Sequence, residues 1–201
     1  MALGTRESKQ YITILGDGTL RTPVPEGTEN AVTREYETSD GKKGTKTELV
    51  FANITGMITN IEVFDGKFGM TLNVSLMDGD ETYILSIGVD SSFGEDFMKK
   101  LPNIDLTKEV YMAPYSFTDD NGKSQKGISI QQDAEKIPNY YWDVAKKTSA
   151  NGYPTPEGDT KKFTKPDWKI FYMQANKFLL AEATKLIEKS FAPKTPDNGD
   201  F

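Results

Sequence analysis

Three aromatic side chains share one face of a strand pattern in the segment 108–118 (KEVYMAPYSFT). If the valine and the methionine of this segment point into a core, then Tyr111, Tyr115 and Phe117 point outward, because successive side chains of a strand alternate between its two faces. Pro114 is typical of an edge strand or a bulge. Exposed rings can stack on nucleobases of any sequence, at about 1–3 kcal/mol per base. We therefore expect the three rings to face a ligand; the alternative is that they pack beneath another segment.

Lysines occur in or beside the turns around this strand pattern. The lysines are Lys67, Lys123 and Lys126 in or beside two predicted hairpin turns, and Lys42, Lys43 and Lys46 ahead of the first long strand. Lysines at such positions can follow the phosphates of a nucleic-acid backbone. Taken singly, each could equally be a solvated turn residue. Together with the aromatic residues, they favour a ligand face.

Carboxylates that could hold a catalytic metal occur in three groups. The groups are Asp78 with Asp80 and Glu81, Asp119 with Asp120, and Glu95 with Asp96. All three lie in predicted turns or on a short helix, where aspartate is favoured because it hydrogen-bonds to nearby backbone. The chain also contains no cysteine and no histidine, so it lacks the commonest general base and the commonest metal ligands. We therefore expect no catalytic residues, no metal and no cofactor.

The formal net charge of −6 is unevenly distributed along the chain. Residues 40–135 carry −7, whereas residues 136–194 carry +5, and the last seven residues carry −2. A local groove, rather than the total charge, decides whether a polyanion binds. An acidic protein of this kind is therefore compatible with a nucleic-acid ligand.

The strands that would position these residues are predicted by alternation and by turn signals. The elements are, in order, strands at 47–64, 67–76 and 81–89, a short helix at 92–101, and strands at 108–118 and 126–132. In the second strand, Phe68, Met70 and Leu72 begin an alternation that predicts a core face. Five strands with a helix between the third and the fourth is the order of an OB-fold barrel. Another small β-barrel or sandwich is the alternative.

The chain outside the predicted OB-fold core (47–135) divides into four parts. They are an N-terminal arm with short strand patterns (1–46), a loop or arm (136–163), a C-terminal helix (164–190) and an acidic tail (191–201) that is expected to be disordered. Thr164 and Asp167 resemble a capping box at the start of the helix. The apolar stripe of this helix must cover either the barrel or a second subunit, so a homodimer through the helix is one expectation.

No segment of the sequence predicts a membrane span or a signal peptide. The longest apolar runs are too short to cross a bilayer. The first ten residues carry Arg6, Glu7 and Lys9 and have no apolar centre. We therefore expect a soluble protein that stays in the compartment where it is made.

The chain resembles phage-encoded single-stranded DNA-binding proteins in five features taken together. These are the strand order, the helix between strands three and four, the lysine-bearing hairpins, the late helix and the end Asp197-Asn198-Gly199-Asp200-Phe201. The resemblance implies sequence-tolerant binding of single-stranded DNA during phage replication or recombination, in the cytoplasm of the infected bacterial host. It also implies that Asp197, Asp200 and Phe201 recruit replication or recombination proteins and that the tail competes with DNA. The acidic run is shorter here than is usual in that family.

The sequence is also compatible with two other functions. The first is a phage structural or protein-interaction module that uses an OB-like barrel to bind another chain. The second and more distant alternative is a metal-dependent nuclease built on the carboxylate groups.

Overall fold

In a computed structural model, which describes residues 9–38 and 41–191, the chain folds as a mainly β protein. Strands make up 44% and helices 23% of it, and a long helix lies at its C-terminal end. This confirms the coarse prediction of a β protein with a late helix. The tail residues Asp197, Asp200 and Phe201 lie outside the described residues.

The described residues form twelve strands and two α-helices. In chain order the strands are β1 (Gln10–Ile14), β2 (Leu20–Pro23), β3 (Val32–Glu37), β4 (Lys43–Phe51), β5 (Ile54–Gly66), β6 (Gly69–Asp78), β7 (Glu81–Gly88), β8 (Glu109–Thr118), β9 (Ser124–Gln132), β10 (Glu135–Lys136), β11 (Trp142–Asp143) and β12 (Thr148–Ser149). The α-helices are α1 (Ser92–Lys100) and α2 (Lys165–Phe191), and two short 3₁₀ turns cover Leu101–Asn103 and Thr160–Lys162.

Ten of these strands pair into one sheet, in the order β10-β9-β8-β5-β6-β7-β1-β2-β4-β3. Neighbouring strands are antiparallel, except that β1 runs parallel to β7. The remaining two strands, β11 and β12, form a separate small hairpin. Strands β1 to β4, from the segment predicted to be an arm and its border, thus belong to the same sheet as the predicted core.

The five predicted core strands correspond to β5 to β9, with α1 between the third and the fourth. The long predicted strand at 47–64 is divided, because its first part pairs with β2 and β3 as the end of β4, while β5 pairs with β6 and β8. The prediction of a closed five-stranded barrel is not confirmed, since the sheet has ten strands and is open. The edge of β7 that could have closed on β9 pairs with β1 instead.

Side chains of α1 occupy the place beside β9 that a closing strand would take. The backbone N–H of Ile128 donates to Asp96 Oδ2 at 2.8 Å, and Lys100 Nζ donates to the carbonyl of Ile128 at 2.6 Å. Lys100 Nζ also donates to Asp96 Oδ2 at 2.8 Å. An unpaired edge residue on β9 therefore has both of its backbone groups satisfied, which removes the need for a neighbouring strand there.

The core lies between the inner face of the curled sheet and the two helices. It is built from alternate residues of β5 to β9 and from Ile12 and Leu20 of the N-terminal strands. Helix α1 begins at Ser91, whose hydroxyl accepts from the backbone N–H of Gly94 at 3.0 Å, as expected for an N-cap. A Cβ on Gly94 would overlap the carbonyl of Gly88, so glycine permits the close packing of α1 on the end of β7.

Helix α2 covers the body of the protein from Ala175 onward. Its buried stripe consists of Ala175, Leu179, Ala183 and Ile187, at the four-residue spacing of one helix face. The predicted capping box is present, because the backbone N–H of Thr164 donates to Asp167 Oδ2 at 2.8 Å and the backbone N–H of Asp167 donates to Thr164 Oγ1 at 3.5 Å. The stripe thus covers the core of its own chain over this length.

A buried carboxylate, Glu48 on β4, links strands β2, β3 and β4 through ion pairs with two arginines. Arg34 on β3 donates to it through Nε at 2.6 Å and through Nη2 at 3.2 Å. Arg21 on β2 approaches it at 3.5 Å and also pairs with Asp17 at 3.1 Å. Hydrogen bonds from Arg34 lower the pKa of Glu48 against the opposing effect of burial, and the charges of Arg34 and Arg21 lower it further. The carboxylate therefore stays ionised although it is buried.

Replacing Glu48 by glutamine should lower the free energy of unfolding near neutral pH by about 1–3 kcal/mol, because two arginines lose a charged acceptor. Since the folded-state pKa of Glu48 is lowered, its contribution is fully present above its ordinary pKa and is lost as the pH falls through the folded-state pKa. The gap between wild type and Glu48→Gln should therefore shrink in acid, as measured by urea denaturation over a pH series.

The matched control is Glu37→Gln, which removes an exposed carboxylate 3.7 Å from Lys43 Nζ and should leave stability almost unchanged. A Glu48→Gln effect that is just as small, or that stays constant down the pH series, would contradict the role of the ionised carboxylate.

Candidate nucleic-acid interface

The predicted register of β8 is confirmed by its burial pattern. Val110, Met112 and Pro114 face the core, and the alternate residues face outward. The proline is tolerated because the pairing between β5 and β8 ends at Ile54 and Met112, so β8 pairs with no strand on that side beyond Met112. The outer face of β8 therefore presents the aromatic residues that the sequence analysis selected.

The three rings on this face differ in exposure. Phe117 is 55% exposed, Tyr115 is 37% exposed, and Tyr111 is half-buried. The ring centroids of Tyr115 and Phe117 are 5.8 Å apart, with a tilt of 37° between their planes. Two neighbouring rings on one strand face are an arrangement on which successive bases can stack.

Tyr115 is held in place by a contact with the neighbouring strand, whereas Phe117 is mostly exposed to solvent. Tyr115 pairs with Gly127 on β9, and a Cβ on Gly127 would overlap both the phenol oxygen of Tyr115 and the carboxylate of Asp96. Burial raises the pKa of Tyr115, and the charge of Asp96 raises it further. The glycine therefore lets the ring lie across β9 with its hydroxyl toward α1, which fixes the position of one ring.

Two of the predicted lysines lie on the β8–β9 hairpin, and they face different surroundings. Lys123 is exposed in the turn, whose backbone is shaped by Asp119 Oδ1 accepting from the N–H groups of Asn121 and Lys123 at 3.0 and 2.9 Å. Lys126 pairs with Ser116 on the face opposite to the rings, and its Nζ donates to the carbonyl of Gly16 at 2.8 Å. Lys123 is thus available to a ligand, and Lys126 fastens the β1–β2 turn.

Lys67 stands at the tip of the β5–β6 hairpin beside a fully exposed ring. Gly66 pairs with Gly69, so Lys67 and Phe68 form a two-residue turn. Phe68 is 96% exposed, and Lys67 Nζ lies 5.7 Å from its ring centroid. The prediction that Phe68 faces the core is wrong, because the alternation of β6 begins after the turn, at Met70. The position of Phe68 in a tight turn is the sequence feature that would have predicted its exposure.

The other three predicted lysines belong to the β3–β4 hairpin. Lys46 Nζ lies 5.3 Å from the ring centroid of Tyr36, and Lys43 pairs with Glu37. Lys42 precedes β4 and is exposed. Five strands separate β4 from β8 in the order of the sheet. Strand pairing therefore does not bring Lys42, Lys43 and Lys46 next to the rings of β8.

Three of the carboxylates considered for a metal, Glu95, Asp96 and Asp119, have local partners. Asp96 binds the edge of β9, Glu95 pairs with Lys99 at 2.5 Å, and Asp119 binds its own turn. Within residues 9–38 and 41–191, no group of three or more histidine, cysteine or acidic residues is arranged to hold a metal ion. Over the same residues, no helix is long and apolar enough to cross a membrane.

Comparison with known proteins gives no match: no protein family, no curated protein and no solved structure matches this chain. Function must therefore be inferred from the geometry of the chain itself.

The close fit between Tyr115 and Gly127 can be tested by overfilling it. Gly127→Ala should destabilise the protein by about 1–3 kcal/mol, because the added methyl forces the phenol and the Asp96 carboxylate apart. The cost should fall in a Tyr115→Ala background, where half of the overlap has been removed. Urea denaturation of the four proteins in this cycle measures the coupling.

The control for this cycle is Ser129→Ala, two residues along the same face of β9, which should have little effect on stability. An equal cost of Gly127→Ala in both backgrounds would show that the tyrosine does not lie against the glycine.

Proposed function

We propose that this protein binds single-stranded DNA with little sequence preference, as a non-catalytic component of phage replication or recombination in the bacterial host cytoplasm. The observation that carries the proposal is the pair of exposed rings, Tyr115 and Phe117, on the outer face of β8. Tyr115 packs on Gly127 with part of its ring, but Phe117 and the outer part of Tyr115 are left exposed, and stacked bases are a ligand that would cover them.

The positions of the exposed cations support the same ligand. In OB-folds, the loop between strands one and two and the loop between strands four and five contact oligonucleotides. If β5 to β9 are such a unit, these loops are the turn with Lys67 and Phe68 and the turn with Lys123. We propose this finer fold assignment, an OB-type unit whose sheet is extended by β1 to β4 and whose β9 edge is held by α1.

A protein-interaction module is the second candidate, and one observation favours it. Phe68 is an apolar side chain that is almost fully exposed at a hairpin tip, which would also suit insertion into an apolar pocket of a protein. The adjacent Lys67 and the ring pair on β8, Tyr115 and Phe117, favour nucleic acid over this alternative, because a strand of DNA supplies both phosphates and bases.

Recruitment of replication or recombination proteins through Asp197, Asp200 and Phe201 belongs to the same proposal. These residues lie outside the described part of the chain. Deleting residues 195–201 should abolish the capture of such proteins from an infected-cell lysate, while a pull-down that is unchanged would remove this part of the proposal.

Phe117→Ala should weaken binding to a fluorescein-labelled oligo(dT) by about 5- to 100-fold, because one stacked base contributes about 1–3 kcal/mol. Its midpoint of thermal unfolding should barely move, since the ring is exposed. Fluorescence anisotropy gives the affinity. Phe51→Ala, which removes a comparably exposed phenylalanine from β4, is the matched control and should bind like wild type. Equal affinities for wild type and Phe117→Ala would remove β8 from the interface.

The salt dependence of binding tests the cations. Lys67→Ala and Lys123→Ala should each reduce the slope of log affinity against log salt by about 0.7, the value for one phosphate contact on a single strand. Lys126→Ala should leave the slope unchanged, because its ammonium is bound to the carbonyl of Gly16. Anisotropy titrations at several salt concentrations give the slopes. Identical slopes for all three variants and wild type would exclude these hairpin lysines as phosphate contacts.

A further inference from the structure

Helix α2 projects beyond the body that it covers. Its buried stripe, which includes Ala175 and Leu179, continues toward the N-terminus of the helix through Tyr172 and Trp168, at spacings of three and four residues. There the stripe is no longer covered, and Tyr172 is 56% exposed. The face that packs on the core in one half of the helix is therefore open in the other half.

The open half carries a stack of aromatic rings. The rings of Trp168 and Tyr172 lie 5.7 Å apart with only 25° between their planes. Phe163 also contacts Trp168, with 5.1 Å between ring centroids and a tilt of 59° between the planes. The tryptophan is thereby held in place, and the exposed tyrosine extends the stack toward solvent.

A groove separates this ring stack from the β11–β12 hairpin. It has a volume of about 270 Å³, and its walls include Tyr172 on α2 and Trp142 on β11. Tyr141, Tyr153 and Pro154 also line it. A groove bounded by flat rings on both sides is suited to a flat aromatic ligand.

The charge of this region is opposite to that of the whole chain. Residues 138–177 contain seven lysines and four carboxylates. Three of the carboxylates have local partners, since Asp143 pairs with Lys146, Asp159 with Lys162, and Asp167 caps α2. The region therefore has cationic charge that its own acidic residues do not neutralise.

Two of the lysines stand on the same helix face as the rings. Lys165, Trp168, Lys169 and Tyr172 follow one another at spacings of three, one and three residues, which places them on one side of α2. No carboxylate among the described residues forms an ion pair with Lys165 or Lys169. We call the surface formed by Trp142, Trp168, Tyr172, Lys165 and Lys169 the overhang patch.

We propose that the overhang patch is a second binding site for the single strand of DNA. At this site a base enters the groove beside Tyr172, and phosphates pair with Lys165 and Lys169. This inference rests on the proposed function and adds a site on a different element. A second copy of the chain fits the patch less well, because a two-fold interface would bring the same unneutralised lysines against each other. A strand of DNA supplies the missing negative charge together with flat rings.

The distribution of tryptophan makes the patch directly observable. The chain has two tryptophans, Trp142 and Trp168, and both belong to the overhang patch, whereas β8 has none. Tryptophan emission therefore reports on the patch, while the anisotropy of a labelled oligo(dT) reports on binding anywhere on the protein. Both signals can be recorded in one titration of the full-length chain.

With a long oligo(dT), tryptophan emission should be quenched with the same midpoint as the rise in anisotropy. Tyr172→Ala should weaken binding by about fivefold or more, and Lys169→Ala should reduce the salt slope by about 0.7. Lys185→Ala is the matched control on the same helix, because Lys185 is paired with Glu182 at 2.6 Å, and it should bind like wild type. Phe117→Ala should still show the quenching at saturating DNA.

If anisotropy rises without tryptophan quenching and Tyr172→Ala binds with wild-type affinity, the second binding site is excluded and the proposed function remains. An absence of any anisotropy change would instead remove the proposed function. Sedimentation velocity tests whether the overhang patch binds a second copy of the chain instead. A wild-type dimer that Tyr172→Ala converts to a monomer would assign the patch to a second copy and overturn the inference.

Discussion

The fold depends on how the edge of β9 is terminated. Both backbone groups of Ile128 are bound by side chains of α1, with Asp96 accepting from its N–H and Lys100 donating to its carbonyl. An edge left open would expose unpaired backbone and invite pairing with other chains. At Ile128 a helix rather than a strand satisfies this edge, while β10 pairs with β9 farther along, at Gln131 and Gln132, and β7 pairs with β1; the sheet has ten strands and is open.

The position of Asp96 beside β9 also determines how the rings on the outer face of β8 are arranged. Asp96 lies where a side chain on residue 127 would stand, so the position is a glycine and the ring of Tyr115 can cross it. One ring is therefore fixed against the sheet, and its neighbour Phe117 is left in solvent. A ligand that stacks on the pair meets one surface that is already ordered, which lowers the entropy lost on binding. Lys123, in the turn beyond, is the nearest exposed cation along the chain.

Local patterns in the sequence predicted the strands β6 to β9, the helix after β7, the outward register of β8 and the capping box of α2, because each of these depends on alternation or on neighbours a few residues away. The errors have two physical sources. Phe68 was assigned to the core because the alternation of β6 was extended back to it, whereas it lies in the two-residue turn and β6 begins at Gly69. The open sheet, the Glu48 network with Arg21 and Arg34, and the fastening of Lys126 to Gly16 depend on contacts between distant segments, which no local pattern records.

Stacking of a single strand of DNA on the rings of β8 can be detected by photochemical cross-linking. A strand substituted with bromodeoxyuridine is irradiated on the full-length protein, and the cross-linked peptides are identified by mass spectrometry. If the strand stacks on β8, the peptide from β8 will carry the nucleotide on Tyr115 or Phe117. Cross-links confined to the β3–β4 hairpin, with none on β8, would contradict it.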